Sequence, residues 1–277
     1  MTHCLLALDT STDLLAAGLL TPCGAFCVNE PGGTLASARL IPALMALLAQ
    51  GGVGFADLQA IAFGQGPGAF TGLRTACAVA QGLALAHDTP VLAIDSLLIV
   101  AEDARQQAGP AHASPDDTAD WWVVMDARMG EAYAAVYQHD GAPDRNPHPG
   151  PGPGHHGAGS GWQVRVAPQL WTLAALADAW RAAPPQRVAG SGVSAFAHTL
   201  PWAQAARWPD CADRAGALLR LACAAWQAGR AIAADQALPL YLRDKVAQTS
   251  AERLAQRAAG AASPLQPMPA AVVVPAR

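Results

Sequence analysis

A glycine-rich block between two apolar segments constrains the fold of this chain most. The block reads Gly64-Gln65-Gly66-Pro67-Gly68-Ala69-Phe70-Thr71-Gly72-Leu73-Arg74. The apolar residues before it, Leu58 to Phe63, are typical of a buried strand. After it, apolar residues recur at helical spacing, with Thr71 as the expected N-cap. A strand that enters a helix through glycines predicts a mixed α/β sheet.

The glycine block does not match a phosphate-binding loop of the Walker type. Five residues separate Gly66 from Gly72, where the pattern has four. Leu73 stands where that pattern places its lysine. A packed turn between strand and helix is therefore favoured over nucleotide binding.

The rest of the chain continues the alternation of strands and helices. Strands are predicted over residues 4–8, 14–20, 26–28, 58–63, 90–94, 121–125, 131–137 and 187–190, and helices over 37–50, 71–84, from 96 onward, 169–181 and 213–228. We predict two lobes, 1–110 and 119–246. The second contains a Pro/Gly-rich flexible loop at about 139–161, and 247–277 form a flexible tail.

Composition supports a folded protein and excludes several classes. Of 277 residues, 52% are hydrophobic and 14% charged, so a disordered chain is excluded. The net charge is −4 and Lys245 is the only lysine, so no basic surface for nucleic acid is indicated. No uninterrupted apolar run approaches the roughly 18 residues that would span a bilayer. Six scattered cysteines without zinc spacing favour a cytoplasmic protein with reduced thiols.

A polar turn joins the first two predicted strands. Asp9, Thr10 and Ser11, followed by Thr12, form the kind of hairpin that can hold phosphate in ATPases through backbone N–H groups and hydroxyls. Such hairpins usually contain a glycine, and none lies between Asp9 and Thr12. The alternative is that these side chains satisfy the turn's own backbone groups.

Other patterns that carry chemistry are weak. The sequence contains no Gly-x-Ser-x-Gly elbow and no His-x-x-x-His pair, so neither a catalytic residue nor a metal site is predicted. One predicted turn contains three charged residues, Asp126, Arg128 and Glu131. They form either a small polar site or a salt-bridged hairpin. His155-His156 is interpreted as a solvated pair without function.

Taken together, four blocks resemble the TsaB (YeaZ) family of bacterial proteins. They are Leu6-Ala7-Leu8-Asp9-Thr10-Ser11-Thr12, the glycine block with Ala80-Gln81-Gly82-Leu83-Ala84, Met125-Asp126-Ala127-Arg128-Met129-Gly130-Glu131-Ala132-Tyr133, and Pro239-Leu240-Tyr241-Leu242-Arg243. These blocks cover the chain up to about residue 246. The loop at 139–161 and the alanine-rich tail depart from the family's pattern and are assigned no role.

The resemblance implies an actin-like ATPase (ASKHA) fold with two lobes, each with a mixed sheet and flanking helices. It also implies a non-catalytic, cytoplasmic subunit without cofactor. That subunit binds TsaD, meets TsaE and tRNA through the complex, supports threonylcarbamoyl transfer to the adenosine next to the tRNA anticodon, and forms a possible homodimer when alone. By position in the family, the partner-binding helices of the first lobe carry Leu40, Leu44, Leu47, Leu73 and Cys77. The alternative for these residues is that they form the core-facing side of the two helices. The competing functions are an autonomous ATPase or kinase that uses Asp9 and the glycine block, and a peptidase-like protein.

Overall fold

A computed structural model of the chain describes residues 3–109, 119–140 and 161–243. Most of the predicted Pro/Gly-rich loop and the predicted tail therefore lie outside the described residues. His139, the first residue of the predicted loop, belongs to a strand instead. The predicted lobe boundary at residues 110–119 falls almost wholly in an undescribed range, and the division into 1–110 and 119–246 stays a prediction.

The first sheet has five strands in the order β3-β2-β1-β4-β5. They are β1 (Leu5–Asp9), β2 (Leu14–Thr21), β3 (Gly24–Pro31), β4 (Ala60–Gly66) and β5 (Val91–Asp95). The strands β1, β2 and β3 form antiparallel hairpins, whereas β4 pairs in parallel with β1 and with β5. The sheet is thus mixed, as predicted.

The second sheet repeats this plan in the order β10-β9-β6-β7-β8. Its strands are β6 (Trp121–Asp126), β7 (Glu131–His139), β8 (Trp162–Thr172), β9 (Arg187–Ala189) and β10 (Ala206–Trp208). Here too the first three strands are antiparallel neighbours, and the last two add in parallel beside the first. The same topology therefore occurs twice in the chain.

Within the described ranges, six α-helices cover the sheets. They are α1 (Ala36–Gly51), α2 (Phe70–His87), α3 (Ser96–Ala108), α4 (Leu173–Ala182), the short α5 (Gly192–Ala195) and α6 (Arg214–Gln227). Apolar residues of α1 and α2 share one core with one face of the first sheet. The opposite face packs on α6, whose Leu218 and Leu221 join Leu5 and Ala7. The second sheet packs on α4 and α5 on one face and on α3 on the other.

Buried polar contacts of α3 tie the two sheets together. Tyr137 on β7 donates a hydrogen bond to Asp95, the N-cap of α3, at 2.5 Å. Glu102 accepts hydrogen bonds from the Trp162 indole at 2.9 Å and from Arg105 at 3.0 Å. Burial works to raise the pKa of Glu102, but the hydrogen bonds and charge of Arg105, with help from Trp162, hold that pKa below its ordinary value. Glu102 is therefore a buried carboxylate that stays ionised at neutral pH.

Two local predictions are wrong. Thr71 does not cap α2, because the N-cap is Ala69, two residues earlier, and Thr71 lies inside the first turn. Gln169 does not begin a helix; it lies in β8, and α4 begins only at Leu173, where the Thr172 hydroxyl accepts the capping bond from Ala175 N–H. β8 is an edge strand, which is where a sheet tolerates a proline such as Pro168.

Candidate functional site

The predicted phosphate hairpin lies at the end of β1, in the interior of the protein. Asp9 is fully buried, and Thr10 and Ser11 are almost so. The Asp9 carboxylate accepts the backbone N–H of Ser11 at 2.5 Å, so it closes the turn on itself. This is the Asx-type arrangement that the sequence offered as the alternative to phosphate binding.

Arg214, the first residue of α6, lies far from this hairpin in sequence but contacts it in the structure. One of its terminal nitrogens, Nη2, lies 2.9 Å from the Asp9 carboxylate, 3.0 Å from the Ser11 hydroxyl and 3.3 Å from the Ser96 carbonyl oxygen. Arg214 is 1% exposed. Burial works to lower the pKa of its guanidinium, but the Asp9 carboxylate reverses this effect and the pKa is raised. The pair is therefore a buried salt bridge.

The glycine block packs directly against the same hairpin. A Cβ atom at Gly72 would lie 1.7 Å from the Thr10 carbonyl oxygen, and one at Gly68 would lie 2.5 Å from the Ser11 carbonyl oxygen. The Thr10 hydroxyl donates to the Gly72 carbonyl oxygen at 2.7 Å. These glycines let two backbone segments touch, which is the packed-turn interpretation of the block.

The corresponding turn of the second sheet is more open. Asp126 ends β6 as Asp9 ends β1, and it accepts the backbone N–H of Arg128 at 2.8 Å. Its other oxygen pairs with the Arg128 guanidinium at 3.2 Å, and the Arg128 side chain is 76% exposed. The sequence predicts either a small polar site or a salt-bridged hairpin at this turn, and the structure shows the salt-bridged hairpin. Among residues 3–109, 119–140 and 161–243, no three His, Cys, Asp or Glu side chains come together as a metal site.

The five side chains predicted at a partner interface are all buried. They are Leu40, Leu44, Leu47, Leu73 and Cys77, none more than 4% exposed, and all but Leu73 belong to the core beneath α1 and α2. A partner could reach them only if the core opened. The helical spacing that suggested a contact stripe thus marks the core-facing side of α1 and α2, and an interface role stays a prediction for other residues of the two helices.

Other apolar side chains of these helices face solvent. Ile41 and Met45, one turn apart on α1, are 42% and 51% exposed, and Leu85 on α2 is 67% exposed. Within the described ranges, Gly33–Gly51 is the only helical segment long and apolar enough to cross a membrane. Its buried leucines pack it against the first sheet.

Arg214 is the site residue that sequence reasoning missed. One signal was available, because Arg214 precedes Ala217 and Leu218 by three and four residues and so shares the apolar face of its helix. A charged residue on such a face requires a buried partner. The sequence could not say that this partner is Asp9, 205 residues earlier.

Comparison with known proteins gives consistent results. Residues 34–144 match the family model described as "TsaD: tRNA N6-adenosine threonylcarbamoyltransferase". The tRNA threonylcarbamoyladenosine biosynthesis protein TsaB of Escherichia coli is 28% identical over 88% of this chain and 96% of its own length. The TsaB protein of Haemophilus influenzae is 39% identical, over 47% of this chain and 51% of its own length.

A solved structure shares the architecture. YeaZ from Pseudomonas aeruginosa superposes with a TM-score of 0.69 at 33% identity, and the match covers 87% of this chain and all of that one. The predicted actin-like fold, with two mixed sheets and flanking helices, is confirmed. Since a protein one third identical in sequence is matched over its whole length, the chain belongs to the TsaB (YeaZ) family.

Proposed function

We propose that this chain is a non-catalytic subunit in the biosynthesis of threonylcarbamoyladenosine in tRNA. In this role it binds TsaD and supports the transfer of the threonylcarbamoyl group to the adenosine next to the anticodon. The names of its relatives, which are tRNA threonylcarbamoyladenosine biosynthesis proteins, support the pathway. TsaE and tRNA would meet the chain through the complex.

The closed Asp9 hairpin is the observation that carries the non-catalytic part of the proposal. A phosphate or its metal ion would need the Asp9 carboxylate and the backbone of the turn. Here Arg214 holds that carboxylate, and Gly68 and Gly72 pack against the turn's carbonyl oxygens. This arrangement favours a structural role for the hairpin over the alternative of an autonomous ATPase or kinase.

The solvent face of α1 and α2 supports the binding part of the proposal. Ile41, Met45 and Leu85 expose large apolar side chains on two helices that lie on the same face of the first sheet. Exposed apolar side chains on adjacent helices are typical of a surface that another protein covers. We therefore assign partner binding to these residues in place of the buried leucines.

Reconstitution with purified TsaD, TsaE, tRNA and threonylcarbamoyl adenylate tests the proposal. We expect modification only when this chain is present, and no ATP turnover by the chain alone. The double variant Ile41→Arg/Met45→Arg should weaken TsaD binding about 30-fold or more and lower modification in parallel. Val164→Arg, on a comparably exposed residue of β8 (58%), is the matched control and should bind normally.

Two results would overturn the proposal. One is modification at the same rate without this chain. The other is unchanged TsaD affinity of the α1 double variant, provided that circular dichroism shows it folded.

A further inference from the structure

Two of the sequence blocks, far apart in the chain, meet at the start of α2. The Leu240 backbone N–H donates to the Gln65 carbonyl oxygen at 2.8 Å, and the Gln65 side chain donates to the Leu238 carbonyl oxygen at 3.0 Å. The segment from Leu238 to Tyr241 therefore runs along the glycine block. The closed hairpin explains the glycines of that block, but not Phe70 or Arg74 at its end.

The meeting of these blocks places the Arg74 side chain over the Phe70 ring and beside the Tyr241 ring, and the centres of these two rings lie 5.2 Å apart. Its guanidinium carbon lies 3.9 Å from the centre of the Phe70 ring and 5.9 Å from that of Tyr241. Its Nε donates a hydrogen bond to the Tyr241 hydroxyl at 3.1 Å. Within the described part of the chain, the two terminal nitrogens of Arg74 take no hydrogen-bond partner. A guanidinium held in this way presents a fork with little freedom to turn, which suits a carboxylate or another oxyanion.

Arg74 lies on the same exposed stripe of α2 as Leu85. Arg74, Ala78, Gly82 and Leu85 follow one another at one-turn spacing and are all exposed. Neither α1 nor α2 contains an acidic residue, so neither helix supplies the countercharge for Arg74. The surface that α1 and α2 present to a partner is thus apolar, with an oriented positive charge at one end.

We infer that Arg74, held by Phe70 and Tyr241, is the polar anchor of the partner surface and pairs with a carboxylate of TsaD. The inference rests on the proposed function and adds the residue that sets specificity and orientation. Arginine held against aromatic rings is typical of the few residues that carry most of an interface's affinity. An apolar face alone would leave a partner free to rotate, whereas a directional ion pair fixes its register.

A protein carboxylate fits this surface better than a nucleic-acid phosphate. Nucleic-acid surfaces neutralise several phosphates with several cations. On α1 and α2 the only arginines are Arg39 and Arg74, and the Arg39 guanidinium already donates to the Pro31 carbonyl oxygen at 3.0 Å. One oriented cation beside apolar side chains is the complement of an acidic residue on another protein.

The test measures TsaD affinity of the full chain and its variants at low and moderate salt. Arg74→Gln should weaken binding about 30-fold and reduce its salt dependence. Arg74→Lys, which keeps the charge but loses the planar fork, should weaken it about 10-fold. Tyr241→Phe removes only the hydroxyl that orients the guanidinium and should cost about 3-fold. Arg207→Gln, at an exposed arginine of β10, is the matched control and should change affinity less than 2-fold.

The outcomes separate this inference from the function on which it rests. If the wild-type chain binds TsaD and Ile41→Arg/Met45→Arg does not, but Arg74→Gln binds normally, the anchor is refuted and the proposed function stands. If the wild-type chain does not bind TsaD, both fail. If Arg74→Gln leaves TsaD binding intact and weakens retention of tRNA, the anion is a phosphate and the inference is wrong.

Discussion

The salt bridge between Asp9 and Arg214 allows a sharp test of what the closed hairpin does. Replacing Asp9 with Asn leaves the Arg214 charge buried without its counterion. Replacing Arg214 with Met leaves the carboxylate in the same position and also removes the donor to Ser11 and Ser96. Because Asp9 is 0% and Arg214 is 1% exposed, water cannot compensate, and each single variant should lose about 3 to 5 kcal/mol of unfolding free energy.

The double variant Asp9→Asn/Arg214→Met should recover much of that loss. It leaves no unpaired charge, and the Asn side-chain oxygen can still accept the Ser11 backbone N–H. We expect the double variant to lie within about 2 kcal/mol of wild type, which gives a coupling energy of several kcal/mol. In a protein of this length, 4 kcal/mol corresponds to a drop in melting temperature of about 8 to 16 °C.

Urea unfolding of the four proteins, followed by tRNA modification with the partners, provides the measurement. If the hairpin is structural, the double variant should be folded and nearly as active as wild type. Single variants that lose less than about 1 kcal/mol, or losses that simply add in the double variant, would refute the buried pair. A folded double variant whose modification rate falls 100-fold or more would show that the Asp9 carboxylate takes part in the chemistry.

Three further predictions concern packing, pH and thiol reactivity. Gly72→Ala should destabilise the protein by about 3 kcal/mol, since its Cβ would lie 1.7 Å from the Thr10 carbonyl oxygen. Gly82→Ala, whose Cβ would have no atom within 4 Å, is the control and should be neutral or stabilising. Thermal melts of the two variants measure the difference. The lowered pKa of Glu102 means that its stabilisation is complete above its ordinary value of 4.5 and is lost as pH falls through the lower folded-state pKa. Glu102→Gln should lose about 3 kcal/mol of unfolding free energy at pH 7. Urea titrations from pH 3 to 7 should show that its unfolding free energy falls less steeply with acid than that of the wild type. An equally steep fall in both proteins would contradict this. Burial raises the pKa of the partly buried Cys223 to about 11, so its alkylation at pH 8, followed by mass spectrometry, should be roughly 10-fold or more slower than that of free cysteine, and an equal rate would refute the assigned environment.

The fold could be predicted well from the sequence because its signals are local. Apolar runs and turn residues predicted most strands of the first sheet, and helical spacing predicted α1 and α6 close to their observed bounds. β8 was missed because its alternation, regular from Trp162 to Val166, breaks off at Ala167 and Pro168, and a proline is tolerated there only because β8 is an edge strand. β10 has only three residues, too few for any period to appear.

The candidate site could be predicted only in part, because its closure depends on contacts between distant segments. The sequence identified the Asp9 hairpin and the glycine block, but not that Arg214 joins them. It also marked the period of α1 correctly without telling the core side from the solvent side. Leucine, isoleucine and methionine occur on both, and only the sheet beneath decides that Leu44 is buried and Met45 exposed.

The position of α6 on the first sheet has a consequence for the order in which the protein folds during synthesis. Strands β1 to β5 are complete once residue 95 has left the ribosome, yet one face of their sheet is covered by a helix that ends at Gln227. Until that helix emerges, Leu5 and Ala7 lack the cover that α6 gives them, and the Asp9 carboxylate has no counterion. Contacts between residues so far apart in sequence form slowly and leave apolar surface open to aggregation in the meantime. Residues of β1, translated long before α6, are thus among the last to reach their final environment, and a nascent chain that stalls between the two segments is the form of this protein most in need of a chaperone.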